Sequence, residues 1–420
     1  MLDLWRALAK DSFLVSAIGH AAFTSERIMS KRETGRYEST STGGEQVRAF
    51  VPHTLPPTGP PVLIEGELAE RVRAAEQALV RLELAGEMVP SLDWFIYAFV
   101  RKEAVLSSQI EGTQATLMDL LNYEAEHNAP PPNADVEEVC NYLDALTFAR
   151  EQLADPSGLP LSMRLLNETH RLLLRGVRGE NKQPGEVRRS QNWIGGSRPG
   201  NAAYVPPPPN ALSEVLSAFE RYIHADDELP PVVRAGLLHV QFETIHPYLD
   251  GNGRIGRLLV TLLLDHWRLL TRPLLYLSLF FKRHRQEYYR RLNAVRVDGD
   301  WEAWLDFFLD GVATIADEAV ATSRDLFTLV TADRQRVIHH TGVNLLAVQL
   351  FERLPSRPIV TAPWVVEALS TTKPTAGRAI EALEATGVLV ETTGKKRDRV
   401  YTYQSYLERL RAGTELGDEG

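Results

Sequence analysis

A single cysteine, Cys140, leaves this sequence without a disulfide framework and without a cysteine-based zinc site. Long apolar runs are missing as well. The longest, such as LLVTLLLDHW at 258–267, are broken by Asp265 or far too short to span a bilayer. The opening MLDLWRALAKDSFLVSAIGHAAF has Asp3 and Asp11 where a secretory signal needs a basic lead, and His20 interrupts its apolar part. Positive charge is in deficit: 46 Lys and Arg against 55 Asp and Glu leave a net charge of -9. That balance excludes a chain that coats nucleic acid through bulk charge, and any such contact must come from a local basic patch. These absences predict a cytoplasmic protein with no membrane partner.

What is present is the composition of a globular protein, with 44% hydrophobic and 24% charged residues. A length of 420 residues exceeds one ordinary core and implies two or three domains. Residues 24–60 are rich in Ser, Thr, Gly and Pro and end in VPHTLPPTGPP, which reads as an extended arm lying over something else. Helical spacing begins at Glu65 and continues to about Asn122, and a further helix is expected around 135–153. The stretch EVRRSQNWIGGSRPGNAAYVP at 186–206 is the exception. Two short runs flank a Gly/Pro/Asn turn there, so a hairpin is expected before helices resume to about residue 325. The last part, from NLLAVQLFERL to VLVETTGKKRDRVYTY, has the order of a winged helix-turn-helix. Its turn carries Lys395, Lys396, Arg397 and Arg399, which suits phosphate contact and equally a solvated loop.

The chemistry is concentrated in HPYLDGNGRIGR at 246–257. PPVVRAGLLHVQFETI before it reads as a buried helix, and the apolar residues at 255, 258, 259, 262 and 263 mark one face of a second helix. The glycines and Asn252 therefore stand at a helix N-terminus, where backbone N–H groups and the macrodipole favour an anion. Arg254 and Arg257, three apart on that helix, can reach the same anion. Asp250 beside a phosphate cradle is placed to hold Mg2+, which prefers a carboxylate plus phosphate oxygens. His246 at the rim is free to accept a proton from an incoming hydroxyl. His239, by contrast, reads as a core histidine. Gly251, Gly253 and Gly256 also spell GxGxxG, but a helix precedes them and residues 268–276 hold no acid, so the dinucleotide reading fails.

These twelve residues resemble the Fic motif, HPFxxGNGRxxR with an acidic fifth position, and depart from it only in Tyr248 for the usual Phe. The flanking QFETIH, the upstream hairpin, the proline-rich arm and YYRRLNAVRVDGDWEAWLDFFLDG look similar to that family too. The resemblance implies transfer of AMP from ATP to a Ser, Thr or Tyr hydroxyl of a protein. His246 would then be the base and Asp250 the Mg2+ ligand. Gly251, Asn252, Gly253, Arg254, Ile255, Gly256 and Arg257 would be the ATP-binding run, with Arg257 on the γ phosphate. The hairpin at 188–205 resembles the flap that holds the target segment as an added strand.

Upstream, SSQIEG at 107–112 ends a helix with Gly112 as its cap, which puts the Glu111 carboxylate against the negative end of the dipole. Ser107, Glu111 and Gly112 resemble the inhibitory Fic motif [S/T]xxxE[G/N], in which the Glu pairs with the second motif Arg, here Arg257. The expected architecture is mostly α. It comprises an arm and helical region with the inhibitory helix at 1–122, a Fic core with a β-hairpin flap at 123–330, and a winged helix-turn-helix domain at 340–410. Removal of AMP by the same pocket and a DNA-binding regulator that senses nucleotide are the rival readings. Relatives of this fold that transfer phosphate, UMP or phosphocholine supply a third. A DNA or protein partner at the winged helix and a homodimer complete the expectations.

Overall fold

The computed structural model describes residues 32–88, 92–126 and 131–416. The part of the arm that precedes residue 32 lies outside them. In chain order the elements are strands β1 (Gly35–Thr42) and β2 (Glu45–Pro52), then helices α1 (Gly66–Met88), α2 (Leu92–Ile110), α3 (Leu117–Ala125), α4 (Ala134–Ala154) and α5 (Met163–Leu173). Next come α6 (Pro209–His224), α7 (Pro231–Ile245), α8 (Asn252–His266), α9 (Ser278–Arg283), α10 (Arg285–Asp298), and the long α11 (Trp301–His339). The chain closes with α12 (Leu345–Arg353), β3 (Ile359–Thr361), α13 (Ala362–Ala368), α14 (Lys373–Ala385), β4 (Val390–Glu391), β5 (Val400–Thr402) and α15 (Gln404–Leu410). The protein is mostly α. Among the described residues no helix is long and apolar enough to cross a membrane.

Two compact units share these elements. The first holds the described residues up to Arg73 together with Ala145–His266 and His284–Asp310. Its centre is α7, in which every residue from Val232 to Ile245 is buried, so neighbours cover it on all sides. Pro230 and Pro231 start that helix where a missing N–H costs nothing. Gly236 lets the start of α11 approach: the Trp304 indole N–H donates to the Gly236 carbonyl at 2.9 Å. His239 is a core histidine. Its ring hydrogen-bonds the Gly256 carbonyl and the Tyr288 hydroxyl and stacks on Trp304, and burial pulls its pKa down to about 4.

The arm folds further than the sequence suggests. β1 and β2 pair antiparallel from Gly35↔Pro52 to Thr42↔Glu45, around a two-residue Gly43-Gly44 turn with both φ positive. Such a turn matches the twist of paired strands, and glycine is the residue that enters it without strain. The arm does lie over something: the Gln241 side chain on α7 donates to the His53 carbonyl at 2.8 Å, and Phe50 N–H donates to Val205 O at 2.9 Å.

The second unit holds Ala74–Asp144, Trp267–Arg283 and the described residues from Gly311 onward. Here α2 packs on α9, whose first turn is capped by the buried Glu103 carboxylate accepting from Ser278 N–H at 3.1 Å. The C-terminal elements run α12, β3, α13, α14, β4, β5, with sheet order β3-β5-β4, all antiparallel. That is the element order expected of a winged helix-turn-helix, with one strand, β3, that the sequence pattern did not reveal. The Tyr403 hydroxyl at the end of this sheet donates to the buried Asp333 of α11 at 2.7 Å.

Candidate active site

His246 ends α7. It adopts a left-handed conformation (φ 50°, ψ 62°), and its N–H still donates to Phe242 O at 2.9 Å. A non-glycine residue in that region carries a strain on the order of 1–3 kcal/mol, so the surroundings must hold it there. Arg188 does much of that. Its Nε donates to the His246 carbonyl at 2.9 Å, its backbone N–H to Pro247 O at 2.9 Å, and an Nη to Pro207 O at 2.6 Å. One buried guanidinium thus ties this turn to both ends of the 188–205 segment. Burial lowers its pKa to about 10, which leaves it charged at neutral pH.

The loop that follows is closed by Asn252. Its side chain accepts from Tyr248 N–H at 2.8 Å and donates to Tyr248 O at 2.7 Å, and the residue is only 2% exposed. The Tyr248 ring is fully buried. It stacks on His170 with centroids 3.8 Å apart, and its hydroxyl donates to Asn167 Oδ1 at 2.9 Å. His170, on α5, reads out its own tautomer. Nδ1 accepts from Gly185 N–H at 2.9 Å, so Nε2 carries the proton and donates to the Asp250 carbonyl at 3.0 Å. Burial drives its pKa down to about 4, which keeps Nδ1 available as an acceptor.

Asp250 is half-exposed, and its Oδ1 accepts from Gly251 N–H at 2.7 Å. Arg254 Nη2 lies 4.0 Å from the same oxygen. Gly179, at φ +94°, passes over this carboxylate so closely that a Cβ would sit 2.8 Å from Asp250 Oδ2. α8 then begins at Asn252, and the first N–H groups of a helix have no intrahelical acceptor. Arg254 and Arg257 are 1% and 3% exposed, so two guanidiniums are buried at the start of one helix. Ile255 points into the core, and Gly256 allows α7 close by, since a Cβ there would meet Glu243 Oε1 at 2.3 Å. The motif residues therefore divide: His246, Asp250, Arg254 and Arg257 bring polar side chains to the turn and the start of α8, while Asn252, Ile255 and Gly256 shape the platform.

The expected hairpin at 188–205 is reduced to one antiparallel bridge, Ile194↔Tyr204, with Ile194 N–H donating to Tyr204 O at 2.8 Å. Gly195 and Gly196 turn it with positive φ, and the Asn201 side chain accepts from the Ser197 and Arg198 N–H groups to close it. Tyr204 anchors it to α7 through a hydroxyl bond to Thr244 O at 2.7 Å.

In the second unit, Glu111 is the residue on which α2 ends. Gly112 N–H donates to Gln109 O and Thr113 N–H to Ser108 O, and Gly112 has φ +98°. That pair of bonds is a Schellman cap, as the glycine suggested, with Glu111 at the C-cap position. Ser107 is fully buried one turn earlier.

A sharply turned histidine, a loop locked from behind and a helix N-terminus with two buried arginines define a class of site: a helix start that favours an anion, set beside a histidine, in a mostly helical protein. Comparison with known proteins identifies two domains. Residues 160–264 match the model of the Fic/DOC family and residues 69–151 that of the Fic/DOC family N-terminal region, so the chain carries a Fic domain preceded by its N-terminal companion. Over 152 residues it is 34% identical to the protein adenylyltransferase Fic of Culex quinquefasciatus, a match covering 36% of this chain and 27% of that one. Over 170 residues it is 31% identical to the protein of the same description from Drosophila grimshawi, covering 40% and 32%. The match thus spans about a third or less of those relatives' length. Among solved structures, a Fic family protein from Desulfovibrio desulfuricans G20 superposes with a TM-score of 0.53 at 21% identity, over 82% of this chain and 97% of that one, which supports the fold.

His170, Arg188, Asn167 and Gly179 were not singled out by sequence reasoning. Gly179 and Gly185 in RGVRGENKQPGE were the available signal, marking a loop that must pass close to something.

Proposed function

We propose that this chain is a protein adenylyltransferase, transferring AMP from ATP to a Ser, Thr or Tyr hydroxyl of a target protein or of the chain itself. The observation that carries the reading is the locked turn: His246 is held by Arg188 immediately before a loop and a helix N-terminus, a place that favours an anion. In the reaction His246 accepts the proton of the target hydroxyl as its oxygen bonds the α phosphorus. The bond from that phosphorus to the α,β-bridging oxygen breaks, and pyrophosphate leaves. Backbone N–H groups of 251–254 with the Arg254 and Arg257 guanidiniums hold the phosphate chain.

The donor set around Asp250 suits Mg2+, which binds through one carboxylate plus substrate phosphates, and not zinc. Among the described residues no cluster of three or more His, Cys, Asp or Glu competes for a metal. Mg2+ held by Asp250 would neutralise charge building on the departing pyrophosphate.

The edge of the 188–205 segment would receive the target chain as an added strand. Glu111 competes with the γ phosphate for Arg257 and holds the activity low. The limits 1–122, 123–330 and 340–410 serve as working boundaries of the inhibitory, catalytic and winged parts. The winged part offers Lys395, Lys396, Arg397 and Arg399 to DNA or a protein, the setting is cytoplasmic, and a homodimer is the assembly to look for.

The test is incubation with Mg2+ and ATP labelled at the α phosphate. Label on the Glu111→Gly chain should exceed the parent by roughly 5- to 150-fold. Adding His246→Ala should lower it again by a factor on the order of 10²–10⁴. Equal labelling of all three chains would sink the reading. Loss of AMP from a premodified target in place of gain would turn it into the reverse reaction.

A further inference from the structure

The Schellman cap that presents Glu111 does not stand alone. Two residues before it, Gln109 is 8% exposed with its carboxamide fully committed. Its Nε2 donates to Ala115 O at 2.9 Å, which folds the 111–115 turn back onto the helix end, and to Thr414 O at 2.9 Å. Its Oε1 accepts from Lys282 Nζ at 2.7 Å, and the same ammonium donates to the Glu415 carbonyl at 2.6 Å. Both amide hydrogens and the amide oxygen are therefore spoken for: one of the three bonds goes to Thr414 itself, and Glu415 holds the lysine that makes another.

That end is built to reach this place. α15 runs out at Leu410, and Thr414 doubles back, donating through both N–H and hydroxyl to Arg411 O at 2.9 and 2.7 Å. Gly413 makes the bend at φ +83°, pressed so tightly on α9 that a Cβ would lie 2.8 Å from Leu279 Cδ1. Thr414 ends 2% exposed. The Glu415 carboxylate accepts from Gly413 N–H at 2.8 Å, and its charge is felt by Lys102 on α2 as well as by Lys282. On its other side, α15 starts directly after β5 of the C-terminal sheet. The winged part of the chain is thus tied by a few residues to the turn carrying Glu111.

We infer that Gln109 is a positioning residue for the inhibitory glutamate, and that the segment 411–415 is a clasp on it, making the C-terminal domain the input that sets how firmly Glu111 is held. The inference rests on the adenylyltransferase reading for its consequence, not for its contacts. Drawing α15 away removes Thr414 O and Glu415 O together, leaves the Gln109 amide and the Lys282 ammonium short of acceptors, and loosens the turn from 109 to 116. A partner that seizes the C-terminal domain would then raise activity without touching the catalytic motif.

Two full-length variants test this. Gly413→Val forces the clasp off Leu279, and Gln109→Met keeps the side-chain length while removing all three hydrogen bonds. A chain ended after Leu410 is the third. The readouts are amide hydrogen exchange over residues 109–116 and incorporation of label from α-labelled ATP. All three should exchange faster there, by roughly tenfold or more, and take up roughly fivefold or more label than the parent. In a Glu111→Gly background none should add to incorporation, because the group being positioned is gone; a loss of general packing would still lower it. Unchanged exchange, or equal gains in both backgrounds, overturns the clasp. Should Glu111→Gly itself take no label, the adenylyltransferase reading and the regulatory link fall together, and the exchange data alone decide whether 411–415 hold the turn.

Discussion

At the scale of single residues, the candidate site is organised by groups outside the motif. The fixed tautomer of His170 joins the loop at Gly185 to the Asp250 carbonyl, and its ring supports Tyr248. Protonation would put a hydrogen on Nδ1, facing the Gly185 N–H that now donates to it. Its pKa and that of His239 are both lowered by burial from 6.5 to about 4. In that interval the unfolded chain binds more protons than the folded one. The stability these two neutral rings supply is therefore present above about pH 6.5 and lost as pH falls toward 4. Thermal melts should show a lower midpoint at pH 5 than at pH 7, and His170→Gln should remove roughly half of that pH dependence while lowering the midpoint at pH 7. An identical slope in parent and variant would count against the assignment.

At the scale of elements, α7 and α8 work as one device. α7 is buried on every side, and the short loop between the helices is tied by Asn252 to Tyr248, so the turned His246 and the start of α8 are held to each other. Close helix approach is what makes this possible, and glycine is what allows the approach. At Gly236 a Cβ would lie 2.9 Å from Phe308 and 3.0 Å from Leu305. Gly236→Val should cost about 1–3 kcal/mol by overpacking that contact, and chemical denaturation would measure it. Activity should fall with the fraction folded, not ahead of it, because residue 236 is nearly three turns of helix from His246.

For the whole molecule, nucleotide binding and folding are linked: a ligand that binds only the folded chain raises its stability by RT ln(1 + [L]/Kd), about 2.7 kcal/mol at a hundredfold excess over Kd. With Mg2+ and ATP the thermal midpoint should rise in every chain that keeps the cradle. If the proposed inhibition holds, the rise should be larger for Glu111→Gly and nearly absent for Arg257→Ala. A thermal-shift series at increasing ATP reads all three, and equal shifts in parent and Glu111→Gly would separate the glutamate from the γ-phosphate site.

The sequence alone determined the mostly helical architecture, the place where α8 starts and the identity of the residues around that start. Each of these depends on near neighbours: helical spacing, a proline pair before α7, a glycine after Glu111, and twelve contiguous residues from His246 to Arg257. Even the Gly43-Gly44 turn was encoded locally, although its polar flanks hid the strands. Tertiary structure decided what holds those pieces still. Arg188 meets His246 across 58 residues, His170 meets Asp250 across 80, and Gln109 meets Thr414 across 305. An arginine, a histidine or a glutamine of that kind looks the same in sequence whether it is solvated or buried. Its partner is set by which distant segments pack together, a choice made by the burial of apolar surface over the entire chain and not by any pattern in the residues beside it.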